Sequence, residues 1–167
     1  MSGSAASSSD ERGRLNEVLK VWVSIPTKAL VKRFMKAAGV SDKGRATAVL
    51  VQYKNLLALK ILMSDYDDEL IAPPPALHAM WKEHVLDTAS YAEHCRLLCG
   101  RLLNHSAADP ADDVRSHGER CHRALAAYKK YFGDDPPSDL WDFGDSLPAL
   151  SAADRARLLE DAPAAKR

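Results

Sequence analysis

Three consecutive prolines, Pro73-Pro74-Pro75, stand near the middle of this 167-residue chain and limit what it can fold into. Each lacks a backbone N–H and fixes φ, so no helix runs through them, although the last can occupy the first turn of a new one. The stretches on either side read as helices. Leu and Ala together number 47 against 15 for Val, Ile and Thr, and straight side chains keep rotamer freedom in a helix where β-branched ones lose it.

Before the prolines, three segments carry apolar residues at helical spacing. Asp10 is placed to cap the first, with Leu15, Val18, Leu19 and Trp22 on one face to about Val23. Ser24-Ile25-Pro26-Thr27 interrupts, Thr27 caps a second helix through Leu30, Val31, Phe34 and Met35, and Gly39 stops it. Ser41 or Asp42 opens a third, in which Val49, Leu50, Tyr53, Leu56, Leu57 and Lys60-Ile61 continue the period to about Leu62. After the prolines the stripe runs Leu77, Met80, Trp81, His84, Val85, then Tyr91, Ala92, Cys95, Leu98, Cys99 and Leu102. A break or kink is expected at Asp87-Thr88, with Thr88 as a fresh cap and Gly100 loosening or ending the run. Asp109-Pro110 opens the next helix, which reaches Phe132 and stops at Gly133. Leu140, Trp141 and Phe143 are then available to dock on the core, and Ser151 caps a short helix to Leu159.

The expected fold is therefore all-α, a single-domain bundle of about five helices with a partly irregular C-terminal segment. Residues 1–9 read as a disordered Ser-rich tail, 10–145 as the helical domain, and 146–167 as a short helix with a flexible tail.

Lys and Arg number 23 and so do Asp and Glu. Zero net charge argues against a strongly basic protein wrapped on nucleic acid or anionic lipid. No run approaches the roughly 20 apolar residues of a membrane span. The opening MSGSAASSSDERGR lacks the regions of a secretory signal and makes an unconvincing mitochondrial presequence, and three cysteines form no disulfide framework, so a cytoplasmic location is expected. The charge is nevertheless segregated: residues 1–63 carry net +7, 64–113 net −7, 114–133 net +4 and 134–167 net −4. Such blocks either help fix topology by packing beside one another or form a two-faced docking surface.

His84 lies on an apolar stripe, where an imidazole must satisfy two ring nitrogens as a structural hydrogen-bonder or as a site residue. Cys95 and Cys99 share a helix face, as do His117 and Cys121, and facing helices could combine these four into a Cys3His zinc site. Against this, the spacing lacks the short knuckle of common zinc sites, and buried cysteines behave as small hydrophobes. Glu83, Asp87 and Glu93 put carboxylates near His84, but no phosphate loop, nucleophile elbow or H-E-x-x-H is present. The second helix is basic and amphipathic, with Lys28, Lys32, Arg33 and Lys36 beside its apolar residues.

From Leu70 to His105 the residues form a pattern: L-I-A-P-P-P-A-L-H-A-M-W-K-E-H-V-L-D-T, then Tyr91, Cys95, Gly100-Arg101 and His105. This resembles a domain of unknown function found at the front of plant glycine-rich domain-containing proteins and in algal and protist relatives, whose members carry W-H-x-H. Tyr53 to Lys60 is similar to that family's "Y-x-x-F-L-x-L-K" helix, and Tyr128 to Trp141 to its "Y-x-x-x-F-G-x-x-P-P-x-x-I-W" end. The similarity covers about residues 45–143. This chain has His78 where the family has Asp and Lys82 where it has the first His of its motif. The resemblance implies that any working Asp–His pair there is lost or altered here, and it implies a fold without supplying an activity.

The leading expectation is a non-enzymatic helical interaction or scaffolding module with a protein partner, self-association included, no nucleic acid and no cofactor. Trp81, His84, His105, Lys28, Lys32, Arg33 and Trp141 are its candidate binding residues. The alternative is a zinc-binding domain using Cys95, Cys99, His117 and Cys121, or His84 with His105. A small hydrolase or transferase built on His84 and a carboxylate stands third.

Overall fold

The computed structural model describes residues 8–107, 113–147 and 150–161. Among them all regular structure is helical: α1 (Ser8–Val21), α2 (Lys28–Ala38), α3 (Lys43–Leu62), α4 (Pro75–Leu86), α5 (Thr88–Cys99), α6 (Val114–Phe132) and α7 (Ala152–Glu160). Seven helices replace the five or so expected, because the stripe after the prolines divides in two and the short C-terminal helix forms a full element.

The division falls at Asp87. Its carboxylate accepts from Ser90 N at 3.3 Å and its carbonyl from Tyr91 N at 2.8 Å. Asp87, rather than Thr88, is thus the cap that restarts the chain as α5. Other boundaries follow local chemistry. Asp42 caps α3 through Gly44 N at 2.8 Å, and Pro75 takes the first turn of α4. Thr27 occupies the cap position of α2 but its side chain makes no capping bond. Gly39 ends α2 at φ 66°, a left-handed conformation that L side chains resist. Ser8 and Ser9 belong to α1, so the helix starts ahead of Asp10, while residues 1–7 of the expected tail lie outside the described residues. So do Asp109-Pro110 and 162–167; the described part of α6 starts at Val114, capped by Asp113 through Ser116 N at 3.0 Å.

From Leu56 to Leu62 helix α3 is buried on all sides, whereas Thr47 and Val51 in its first half stay exposed, and α1, α2, α4 and α6 pack around it. Tyr53, Leu56, Leu57 and Leu59 are fully enclosed, and one apolar cluster extends from Trp22 to Phe143. The segment after α6 docks as expected. Trp141 donates its indole N–H to Gln52 Oε1 at 3.0 Å and meets Tyr128 edge-on at 5.0 Å. Arg45 pairs with Asp139 beside it. Helix α7 lies along α6, where Arg123 Nε donates to Leu158 O at 2.8 Å.

Candidate functional site

Helix α4 presents two faces. Leu77, Met80, Trp81 and His84 point into the core at helical spacing, whereas His78 and Lys82, one turn apart, look outward beside them. After Gly100 ends α5, the chain returns over α4 and lays the His105 ring edge-on against Trp81 at 4.5 Å and parallel to His78 at 4.9 Å. The first turns of α6 add His117 and Arg120. Together these five side chains line a cleft of about 410 Å³, with Val85 and the exposed Leu86 on its apolar side. A neighbouring hollow of about 340 Å³ shares His78, Lys82 and His117 and extends to Phe143.

Beneath this cleft lies an ion-pair knot. The Lys60 ammonium is wholly buried, 2.7 Å from both Asp65 Oδ2 and Asp68 Oδ1, and donates to Ile71 O at 2.9 Å. It also sits 5.1 Å from the centre of the Trp81 ring. Asp65 accepts from the N–H groups of Glu69, Leu70 and Ile71. Burial pushes its carboxyl up, but the Lys60 charge and these donors outweigh that and hold it below the usual value. Asp68 is engaged by Lys60, by Arg120 Nη2 at 3.1 Å and by Ser106 N at 2.9 Å. Two cations and two carboxylates cancel, so the one carboxylate lining the cleft adds no net negative charge to it.

The outer residues sense one another. Burial, then the His105 and Lys82 charges, lowers the His78 pKa; burial is the first cause for His105 and His117 as well, with Arg120 adding to the latter. Arg120 Nε and His105 Nε2 are buried without a hydrogen-bond partner among the described residues.

A second constellation is internal. Tyr53 Oη lies 2.8 Å from His84 Nδ1, and His84 Nε2 lies 2.7 Å from His94 Nδ1. Among the described residues His84 is the only hydrogen-bond partner of the Tyr53 hydroxyl, so the phenol donates and His84 carries its proton on Nε2, which donates onward to His94. Burial, followed by the His94 and Arg33 charges, pushes the His84 pKa down to about 3, leaving a neutral ring. Alongside, Trp81 Nε1 donates to Tyr91 Oη at 2.9 Å, and that hydroxyl donates to Leu103 O.

No protein-family model, curated protein or solved structure matches the chain.

The candidates named from the sequence separate accordingly. His84 is the structural hydrogen-bonder; both ring nitrogens are taken, and neither by a carboxylate. Trp81 and Trp141 are 0% and 3% exposed, so they support surfaces rather than form them. Of the candidates Trp81, His84 and His105, only His105 lines the cleft. Among the described residues no three His, Cys, Asp or Glu side chains are grouped to hold a metal ion. Cys99 donates to the carbonyls of Cys95 and Arg101, at 3.4 and 3.1 Å, and Cys121 Sγ contacts His117 Nε2 of its own helix at 3.5 Å. Burial raises the pKa of all three thiols.

On α2, Leu30 and Phe34 are buried while Lys28, Lys32 and Lys36 are exposed at four-residue intervals. Among the described residues these three lysines form no ion pair, whereas Arg33 is tied to Asp87 at 3.3 Å. Lys60, Tyr53, His78, Lys82 and Arg120 were not singled out as site residues from the sequence. Lys60 carried a usable signal, a charge at a position the apolar period reserves for the core.

Proposed function

We propose that the chain is a non-enzymatic helical interaction module that presents the lysine row of α2 to an acidic protein partner. The carrying observation is that Lys28, Lys32 and Lys36 stand exposed and, among the described residues, unpaired, along one line of a helix whose opposite side is locked into the core by Leu30 and Phe34. Successive lysines sit about 6 Å apart along the axis. That repeat fits a partner segment with carboxylates at helical spacing and lets complementary charge steer the encounter. The interior chemistry agrees with a binding role, since the His84 ring is neutral and fully engaged.

The test reverses the row, Lys28→Glu, Lys32→Glu and Lys36→Glu together, in the full chain. A partner found by cross-linking is purified and its affinity measured at low and high salt. Reversal weakens binding by about a hundredfold, and salt weakens the unaltered pair. Equal affinity for both forms would remove α2 from the interface.

The chain also reads as a variant member of the domain family seen in plant glycine-rich domain-containing proteins. In support, the residues that carry the resemblance gather at one place although they lie far apart in the chain. Tyr53 meets His84, Lys60 and His105 meet Trp81, and Trp81 meets Tyr91. These residues of the pattern thus form one connected core in this chain.

A further inference from the structure

The cleft over Lys60 is not used by the α2 reading, and no α2 residue lines it. It has the size of a ligand pocket, about 410 Å³, with an apolar wall and a few converging polar groups. What distinguishes it is unbalanced charge. Asp68, the one carboxylate lining the cleft, counters the lowering of the His78 and His105 pKa values but is already engaged by Lys60 and Arg120, so Lys82 and three imidazoles face the space with no unengaged anion among the lining residues. Arg120 spends Nη2 on Asp68 and Ile71, which fixes the guanidinium, while its Nε has no partner among the described residues.

We propose that this cleft binds an oxyanion, a phosphate or carboxylate group on a molecule with an apolar portion, between Lys82, Arg120 and the imidazoles of His78 and His117. The anion supplies the missing charge, and charge-assisted bonds from a pre-positioned arginine and a lysine are the strong ones available to such a group. The apolar portion lies along Leu86, which is 72% exposed at the edge of the cleft. An occupying anion also offsets the burial and the neighbouring positive charges that lower the His78 and His117 pKa values, so binding takes up protons.

All six histidines of the chain serve as reporters. The full chain is titrated with inorganic phosphate, with butyrate, and with chloride at equal ionic strength, and the imidazole nitrogens are followed by NMR. The expected result is saturable movement of His78, His105 and His117 with one or both oxyanions, the interior His84 staying still. Saturation by phosphate alone assigns a phosphoryl ligand, by butyrate alone a carboxylate, and by both the shared oxyanion chemistry. Lys82→Met, at an exposed position that leaves the His84 signal as a check of folding, weakens the saturating ligand by about tenfold. Absence of saturation with either oxyanion overturns the proposal, as does movement equal to that in chloride or unaltered affinity in Lys82→Met. None of these outcomes depends on α2, so the two readings fail separately.

Discussion

The Lys60 ammonium, itself closed to water, sits 2.7 Å from the Asp68 carboxylate at the floor of the cleft, with the side chains 0% and 4% exposed. A pair so enclosed does little for net stability compared with apolar residues of the same volume, but removing one partner strands the other. Lys60→Met therefore costs about 3–5 kcal/mol in chemical denaturation, because Asp65 and Asp68 lose their shared cation. The loss also frees the Ser64–Ile71 loop, where Asp68 holds φ 57°, so hydrogen exchange there accelerates more than in α2. A cost below about 1 kcal/mol would mean that the knot is not closed in solution.

How far the chain could be read in advance depended on whether a feature was local. The helices on either side of the triple proline and the stop at Gly39 follow from residues within a few turns of one another; the docking of Trp141 was legible only from its apolar neighbours Leu140 and Phe143, since its partner Gln52 lies 89 positions upstream. The Asp87 boundary was visible as a break, yet the cap was misassigned by one residue because Asp and Thr are both good caps. The cleft was not legible. Its residues come from α4, from the segment after α5 and from α6; spacing sets 78 beside 82 and 117 beside 120, but nothing in it announces that these pairs and 105 meet. His84 was legible as unusual but not as satisfied, since its partners lie 31 positions upstream and 10 downstream.

Tyr53 donates to His84 Nδ1 from the middle of α3 and thereby sets the tautomer of a buried ring. Tyr53→Phe keeps the ring volume and removes the donor. The expected loss is about 1–3 kcal/mol, from an acceptor left buried and unpaired. Imidazole NMR of the unaltered chain shows the proton on His84 Nε2, and the variant shows a mixture of tautomers. A stable variant with the same single tautomer would relocate the control to His94.

Acid weakens the fold through the same ring. The folded His84 pKa is about 3 and its ordinary value 6.5, so between these limits the unfolded chain binds the extra proton. The stabilisation is present above pH 6.5 and is lost as pH falls toward 3, at about 1.4 kcal/mol per pH unit. His78, His94, His105 and His117 are lowered too and steepen the decline in its upper part. Denaturation midpoints taken from neutral pH to the acid side should fall throughout, and a His84→Gln chain should show a shallower fall. Equal slopes would remove His84 from the account.

The thiols differ in reach. Cys99 is partly exposed, whereas Cys95 and Cys121 are buried, and burial raises Cys121 from 9.0 to about 11, which cuts its thiolate fraction about a hundredfold. Iodoacetamide followed by mass spectrometry should therefore mark Cys99 first and reach Cys95 and Cys121 only on unfolding. Protection of Cys99 that a chelator relieves would instead point to a bound metal.

Trp141 distinguishes a docked core element from a contact surface. Its ring is 3% exposed, set edge-on to Tyr128, with the indole N–H on Gln52. Trp141→Ala empties that site and is expected to cost about 3–5 kcal/mol. Trp141→Phe retains much of the packing but leaves Gln52 Oε1 without its donor, at about 1–2 kcal/mol. The order matters more than either value. If both substitutions are neutral in denaturation but abolish partner binding, then residues 134–147 do not dock as described, and Trp141 returns to the surface as a recognition residue.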